Sequence, residues 1–298
     1  MTFTYHPASP PATEIAARLN LHRSRPGEFR GRCPSCGYGS DAFSLSERRG
    51  RVLWRCASCG DQAAITAAIR STAGLPAPAE RQERLPRHGS EPAARIARAG
   101  AVWSGAQPIE PDSPAELYLH HRRISHVAAS LALRWRPDCP HPSGGRRIAL
   151  LAAVTGPDGS FAGMQRIFLD RDGRKADVVP MKASLGVIAG GAVRLADPVD
   201  GAVVVAEGVE TSAAAGALLS LPAWSAISAG NMARTMTLPS SIRSVTIAAD
   251  HDEPGLRAAE DAWRRWRAEG RECRIVKPAV QGKDFNDLQR QPARGGVR

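Results

Sequence analysis

Two Cys-x-x-Cys pairs stand 19 residues apart in the chain, Cys33 with Cys36 and Cys56 with Cys59. Each pair can present two thiolates from one tight turn, and four thiolates complete the tetrahedral shell of a structural zinc ion. Surface thiols or a redox dithiol are the alternatives, but two pairs at this separation favour one structural zinc. We expect residues 43–45 and 52–54 to be strands between the pairs, as in a zinc ribbon.

The composition places the chain among folded proteins rather than disordered or membrane-spanning ones. Its 298 residues allow about two domains, and 43% hydrophobic with 23% charged residues is ordinary for a globular chain. No apolar run approaches the ~20 residues that a bilayer-spanning helix needs. The N-terminal segment has no basic-then-apolar signal pattern, so we expect a cytoplasmic protein with no membrane partner.

Positive charge is concentrated towards the N-terminus. The formal net charge is +11, and nine arginines face only three acidic residues between Arg18 and Arg55. Residues 200–290, in contrast, hold eleven basic and twelve acidic side chains. A basic region favours a polyanionic partner, because contacts with phosphates release condensed counterions. A solvated basic surface is the alternative.

The ribbon offers candidate nucleic-acid contacts beside Trp54. Four arginines flank this ring, namely Arg48, Arg49, Arg51 and Arg55. Arginines can bind phosphates while an exposed aromatic ring stacks on a base. Packing of Trp54 inside the small ribbon is the competing interpretation.

The chain divides into segments of different pattern. We expect a zinc-ribbon domain over 1–70, a Pro-rich polar linker over 71–92, a basic intermediate region over 93–200, a further domain over 201–290 and a tail over 291–298. In the intermediate region, Pro157-Asp158-Gly159 joins two apolar runs and predicts a hairpin. Beyond Gly201, short apolar strands alternate with helices, which indicates a parallel α/β sheet.

Acidic residues follow two of these predicted parallel strands. Glu207 comes directly after 203–206, and Asp250 and Asp252 follow 246–249. Because ligand sites lie at the carboxyl ends of parallel strands, we expect the three carboxylates to converge. Clustered carboxylates repel one another unless a hard cation such as Mg²⁺ or Mn²⁺ neutralises them. Helix capping is the alternative role for Glu207 and Asp250.

The C-terminal pattern resembles the Toprim domain, in the version found in phage- and plasmid-type DNA primases. The residues that carry the resemblance are Ala206-Glu-Gly-Val-Glu-Thr211, Ala249-Asp-His-Asp252 with Gly255, and Gly282-Lys-Asp-Phe-Asn-Asp287. The preceding Cys-x-x-Cys ribbon is similar to the zinc-binding domain of bacterial primases. The resemblance implies an α/β fold class: a small N-terminal zinc ribbon, a mixed α+β intermediate region and a C-terminal Toprim domain with a Rossmann-like parallel sheet.

The resemblance also implies roles for individual residues. Glu207, Asp250 and Asp252 would hold catalytic magnesium or manganese ions, with Asp284 as a peripheral acidic residue. A basic ridge would guide the template and the nucleoside triphosphate, and by position we assign to it Arg146, Arg147, Arg166 and Lys182. For Arg174 and Lys175, beside the Asp172-Gly173 turn, a solvated surface is the rival interpretation.

The expected activity is that of a DNA primase: a nucleotidyltransferase of the DNA-directed RNA polymerase type that acts in DNA replication. Its partners would be single-stranded DNA, nucleoside triphosphates and a separate replicative helicase. Only residues 291–298 follow the Toprim segment, so we do not expect the helicase to be recruited through a C-terminal domain, as it is in bacterial primases. A Toprim nuclease and a non-catalytic zinc-ribbon binder of single-stranded DNA are the alternatives. A topoisomerase is disfavoured, because the three tyrosines, Tyr5, Tyr38 and Tyr118, come without a strand-gating structure.

Overall fold

The computed structural model describes residues 11–37, 39, 41–48, 51–59, 61–73 and 92–291. The chain forms two compact units, Met1–Gly89 and Ser90–Arg298. The intermediate and C-terminal regions of the sequence therefore fold together as one unit. Of the predicted linker over 71–92, residues 71–73 belong to a helix and Pro92 begins another, while 74–91 lie outside the described residues.

The first unit is a four-stranded antiparallel sheet with two helices. The strands are ordered β1-β2-β3-β4, and the elements in chain order are α1 (Ala12–Arg18), β1 (His22–Arg25), β2 (Glu28–Gly31), β3 (Phe43–Arg48), β4 (Arg51–Cys56) and α2 (Gln62–Ala73). Both strands predicted between the cysteine pairs are present. Their inward side chains Phe43, Leu45 and Trp54 pack with Ile15 of α1 and Ile65 of α2 in one small core.

The second unit begins with helices and an antiparallel sheet. Its first elements are α3 (Pro92–Ser104), α4 (Pro114–His121), β5 (Leu133–Pro140), β6 (Arg146–Thr155), β7 (Phe161–Leu169) and β8 (Lys182–Gly186). The four strands pair in this order, and β6 with β7 is the predicted hairpin. Helix α4 starts as its sequence indicates, because Ser113 accepts a hydrogen bond from the Glu116 amide and Pro114 occupies the first turn.

This antiparallel sheet is covered on both faces, which explains the continuous apolar run of β6. Successive side chains of a strand point to opposite faces. Ala149 and Leu151 face the core beneath α3. Leu150 and Ala152 face a second core, which they share with Leu119 of α4 and with the C-terminal part of the unit.

The C-terminal part is a five-stranded sheet ordered β13-β12-β10-β11-β9. Its elements are β9 (Val193–Arg194), β10 (Ala202–Ala206), α5 (Val209–Leu219), β11 (Ala223–Ser225), β12 (Ser244–Ala248), α6 (Glu253–Ala268), β13 (Glu272–Val276) and α7 (Phe285–Arg290). Strands β10 to β13 are mutually parallel, as predicted, and only the two-residue edge strand β9 runs antiparallel. No helix in the described ranges is long and apolar enough to cross a membrane.

The prediction for the buried face of helix α6 is only partly right. The spacing of Leu256, Ala259, Trp263 and Trp266 suggested a single apolar stripe. Ala259 and Trp266 are indeed fully buried, but Trp263 is 37% exposed and its indole donates to the Cys273 carbonyl. The buried stripe runs instead through small residues, Gly255, Ala258 and Ala262, because these let the helix lie close to the sheet.

Candidate active site and zinc centre

The four cysteines of the first unit converge on one point. The Sγ atoms of Cys33 and Cys59 are 3.9 Å apart, and those of Cys36 and Cys56 are 3.8 Å apart. Two sulfurs on one tetrahedral zinc, each bound at about 2.3 Å, lie about 3.8 Å apart. All four ligand atoms lie within 4.8 Å of one another, so the cluster fits a zinc ion of the ribbon type.

Backbone donors and neighbouring thiols act in opposite directions on the sulfurs of the cluster. The amides of Ser58 and Cys59 both donate to the Cys56 sulfur at 3.3 Å. Contacts with the neighbouring thiols, together with burial, raise the pKa values of Cys56 and Cys59 above the ordinary thiol value. A cation at the centre would reverse this effect, since it favours the charged form of each ligand.

The ribbon residues proposed as nucleic-acid contacts differ in position. Trp54 is 3% exposed, and its indole donates to Thr66. The structure thus favours the packing alternative for this ring over base stacking. Arg55 is exposed on β4, whereas Arg49 and the side chains of Arg48 and Arg51 lie outside the described residues.

In the second unit, the predicted acidic cluster lies at the carboxyl edge of the parallel sheet. Ala206 of β10 is directly opposite Ala248 of β12, so Glu207 and Asp250 leave neighbouring strands at the same edge. The backbone of Glu207 is fixed, because the buried Ser225 hydroxyl donates to its carbonyl at 2.8 Å. The turn from β12 into α6 is tight: a Cβ on Gly255 would lie 2.8 Å from the Asp250 carbonyl oxygen.

The charges of three other acidic residues act on Asp250. Burial, followed by the negative charges of Glu207, Asp284 and Asp252, raises the pKa of Asp250 to about 7. Its Oδ1 atom is buried and has no hydrogen-bond partner among the described residues. A buried carboxylate oxygen without a hydrogen-bond partner, on which the charges of three other acids act, fits a hard divalent cation, which prefers oxygen ligands.

The other two acids cap helices. Asp252 Oδ1 accepts from the Gly255 amide at 2.7 Å and begins α6, and Asp284 Oδ1 accepts from the Asp287 amide at 2.7 Å and begins α7. The capping role considered for Glu207 and Asp250 thus belongs to Asp252 and Asp284. Within the described ranges, only the four cysteines bring three or more ligand atoms within 4.8 Å. The acids do not meet this spacing, so a cation held by them would need water molecules to complete its shell, as Mg²⁺ commonly has.

Beside the acids lies a cationic cluster centred on Glu210, the third residue after Glu207. Glu210 is almost fully buried on α5; Lys182 Nζ lies 2.9 Å from its carboxylate and Lys175 Nζ 3.4 Å from it. The Tyr118 hydroxyl donates a short hydrogen bond to Glu210 Oε1. The solvated alternative for Lys175 is therefore wrong, because its ammonium group is half-buried and paired.

Lys182 connects this cluster to the acids. Its ammonium group binds Glu210, yet its positive charge also acts on Asp250, whose pKa it lowers against the larger raising effects. Burial and the like charge of Lys182 lower the pKa of Lys175 to about 8. The site therefore has an acidic half on the parallel sheet and a cationic half that the antiparallel sheet and its connections supply.

Only some of the residues that we assigned to the basic ridge by position lie on the protein surface. Arg166 is 6% exposed, and its guanidinium donates to the carbonyls of Pro140, Ala183 and Ser184. Arg146 and Arg147 are exposed, and Arg146 pairs with Asp138 at 2.9 Å. Lys182 is the member of this set that faces the acidic cluster.

Family models match both parts of the second unit. Residues 202–295 match the Toprim domain, so the C-terminal segment is a Toprim domain as the motifs indicate. Residues 93–195 match a domain of unknown function (DUF7146). None of the curated proteins shows significant sequence similarity to the chain.

Several solved primase structures are similar to the chain at low sequence identity. The zinc-binding and RNA polymerase domains of the Aquifex aeolicus primase are 14% identical with a TM-score of 0.47, over 94% of this chain and 79% of that one. The E. coli primase catalytic core is 16% identical with a TM-score of 0.43, over 67% and 76%. The primase fragment of the bacteriophage T7 primase-helicase is 13% identical with a TM-score of 0.41, over 87% and 93%.

Proposed function

We propose that this protein is a primase-type nucleotidyltransferase that makes short oligonucleotides on single-stranded DNA. The observation that carries the proposal is a composite site: Asp250, whose buried Oδ1 has no hydrogen-bond partner among the described residues, lies at the edge of the Toprim sheet beside two half-buried ammonium groups. Carboxylates of this kind suit divalent cations, and ammonium groups suit the phosphates of a nucleotide.

In this proposal, Glu207, Asp250 and Asp252 hold Mg²⁺ or Mn²⁺, and Asp284 adds negative charge at the rim while it caps α7. When bound, such cations supply charge neutralisation on the phosphates and a lower pKa for the attacking hydroxyl. Lys182 binds the triphosphate and orients it towards the acids. The 3′ hydroxyl of the growing strand gives up its proton to solvent water as its oxygen forms a bond with the α-phosphorus, and the bond from that phosphorus to pyrophosphate breaks.

The remaining assignments concern template binding. Cys33, Cys36, Cys56 and Cys59 hold one structural zinc ion that fixes the ribbon. The exposed guanidinium groups of Arg55, Arg146 and Arg147 bind template phosphates. Such contacts would make template affinity fall steeply as salt rises. A separate replicative helicase stays a prediction of the sequence.

Nucleotide incorporation on random single-stranded DNA, with and without Mg²⁺ or Mn²⁺, tests the proposal. We expect metal-dependent products from the wild type and none from Glu207→Gln. Glu253→Gln is the matched control, since Glu253 is an exposed carboxylate of the neighbouring helix that pairs with Arg257. The same proteins incubated with labelled DNA and no nucleotides test the nuclease alternative: metal-dependent cleavage without synthesis would replace our proposal. Salt-sensitive binding with neither reaction would favour the non-catalytic binder.

A further inference from the structure

We propose that Tyr118 is a positioning residue for this site: its hydroxyl fixes Glu210, which in turn holds Lys182 and Lys175 beside the acidic cluster. Only the kinetic part of this inference rests on the proposed function. Tyr118 belongs to the segment that matches a domain of unknown function. It lies 92 residues from Glu210 in sequence, so the fold alone brings the two side chains together.

The protonation states of the pair are fixed by their surroundings. Burial, followed by the negative charge of Glu210, raises the pKa of Tyr118 above its ordinary value, so the phenol keeps its proton and remains a donor. Burial opposes ionisation of Glu210, but the ammonium groups of Lys182 and Lys175 outweigh it and lower the pKa of this carboxyl. Tyr118 therefore donates to a carboxylate, the stronger kind of hydrogen bond.

Several contacts fix the position of Tyr118. Its ring is 1% exposed in the core, and the Arg122 guanidinium lies 5.5 Å from the ring centroid. Arg122 is tied to α7, because its carbonyl accepts from the Asn286 side chain at 2.8 Å. Gly173 touches α4 so closely that a Cβ on it would lie 2.6 Å from the Tyr118 amide nitrogen. The hydroxyl thus reaches Glu210 from a rigid support.

The consequence for Lys182 follows from the geometry of one carboxylate. Glu210 Oε1 accepts the Tyr118 hydroxyl, Lys182 Nζ lies 2.9 Å from each of the two carboxylate oxygens, and Lys175 Nζ lies 3.4 Å from Oε1. Without the hydroxyl, only two mutually repelling cations with flexible stems would hold the carboxylate. It could then rotate, and Lys182 would lose its fixed direction towards Asp250. Tyr118 would therefore act on Lys182 by fixing the direction of its ammonium group, as a positioning residue does.

Amine footprinting of the full, zinc-loaded protein tests the arrangement without any enzymatic reaction. The chain has only four lysines. Lys277, which contacts His251, and Lys283, which pairs with Asp287, serve as internal references because their partners differ from Glu210. In Tyr118→Phe, we expect acetylation of Lys175 and Lys182 to speed up by about threefold or more, because loss of one hydrogen bond of ordinary net strength loosens their partner. The references should not change. Unchanged rates at Lys175 and Lys182, or an equal rise at all four lysines, would overturn the inference.

Ser113→Ala is the matched control. It removes the N-cap of the same helix and weakens α4 without touching Glu210. If Ser113→Ala reproduced the lysine pattern of Tyr118→Phe, helix destabilisation would explain the result and the positioning role would be refuted.

The kinetic readout separates positioning from general damage. For nucleotide incorporation by Tyr118→Phe, we expect KM for the triphosphate to rise by about fivefold to tenfold with kcat within about twofold. A fall in kcat at unchanged KM would contradict a role through Lys182. If the wild type makes no product at all, the proposed function fails, while footprinting still decides whether Tyr118 fixes Glu210.

Discussion

Replacing Asp250 with asparagine is expected to stabilise the metal-free protein at neutral pH, although it removes a proposed catalytic side chain. In the folded chain the pKa of this carboxyl is raised from its ordinary value of 3.8 to about 7, because the group is buried and close to the negative charges of Glu207, Asp284 and Asp252. The folded state therefore binds more protons at this group than the unfolded state does. The stability of the wild type must fall as pH rises through this window.

The size of the effect follows from that pKa. At about 1.36 kcal/mol per pKa unit, the free energy of unfolding should drop by about 2 to 3 kcal/mol between about pH 5 and about pH 7.5. An asparagine at this position carries no charge and can donate to the surrounding carboxylates. Asp250→Asn should remove the pH dependence and exceed the wild type at about pH 7.5 by about 1 to 4 kcal/mol.

Urea denaturation of zinc-loaded, magnesium-free protein, followed by tryptophan fluorescence, measures this directly. Five of the six tryptophans lie in the second unit, so the signal reports mainly on the unit that contains Asp250. The difference in the free energy of unfolding between the variant and the wild type at each pH cancels the contributions of the groups that the two proteins share. The low pKa of Glu210 affects stability only below about pH 4.5, outside the window. A variant less stable than the wild type at about pH 7.5, or a wild type with no pH dependence, would refute the reasoning.

Two further predictions concern the ribbon and the support of Tyr118. Removal of zinc with a chelator should unfold the first unit, because structural zinc contributes about 10–16 kcal/mol in small zinc domains and this unit has only a small core. Hydrogen exchange should then rise over 11–73 and not over 92–291. Retained protection in 11–73 would contradict a zinc-dependent fold. Gly173→Ala should destabilise the second unit by about 2 kcal/mol or more, because its Cβ would lie 2.5 Å from Leu117 Cβ. Gly159→Ala is the control for backbone strain alone, since Gly159 has a similar positive φ but no atom within 4 Å; equal losses in the two variants would rule out close packing as the cause.

The acidic half of the site could be predicted because its signal is local. A short apolar strand that ends in a carboxylate, repeated in an α/β pattern, places Glu207 and Asp250 at one edge through the geometry of parallel strands. The zinc centre is equally local, since two tight turns define all four ligands. In both cases the spacing along the chain already carries the geometry.

The cationic half depends on contacts between distant segments, which spacing does not encode. Glu210 lies within the Toprim motif, but nothing in its sequence neighbours shows that Tyr118 reaches it from helix α4 and Lys175 from the connection between β7 and β8. Arg166 is an example of a wrong assignment from sequence position. Its position suggested a phosphate contact, but in the fold its guanidinium donates to three backbone carbonyls. A buried glutamate at the start of a helix, with lysines in the preceding domain, is the signal that could have suggested the pairing.

Manganese binding by the zinc-loaded protein tests most directly whether the Toprim acids form a divalent-cation site. Electron paramagnetic resonance counts free Mn²⁺ during a titration of the wild type, Asp250→Asn and the control Glu253→Gln. We expect saturable binding by the wild type and the control, and an affinity lower by about tenfold or more in Asp250→Asn, since even changes outside the ligand shell commonly cost that much. Equal manganese affinity in all three proteins would contradict the account.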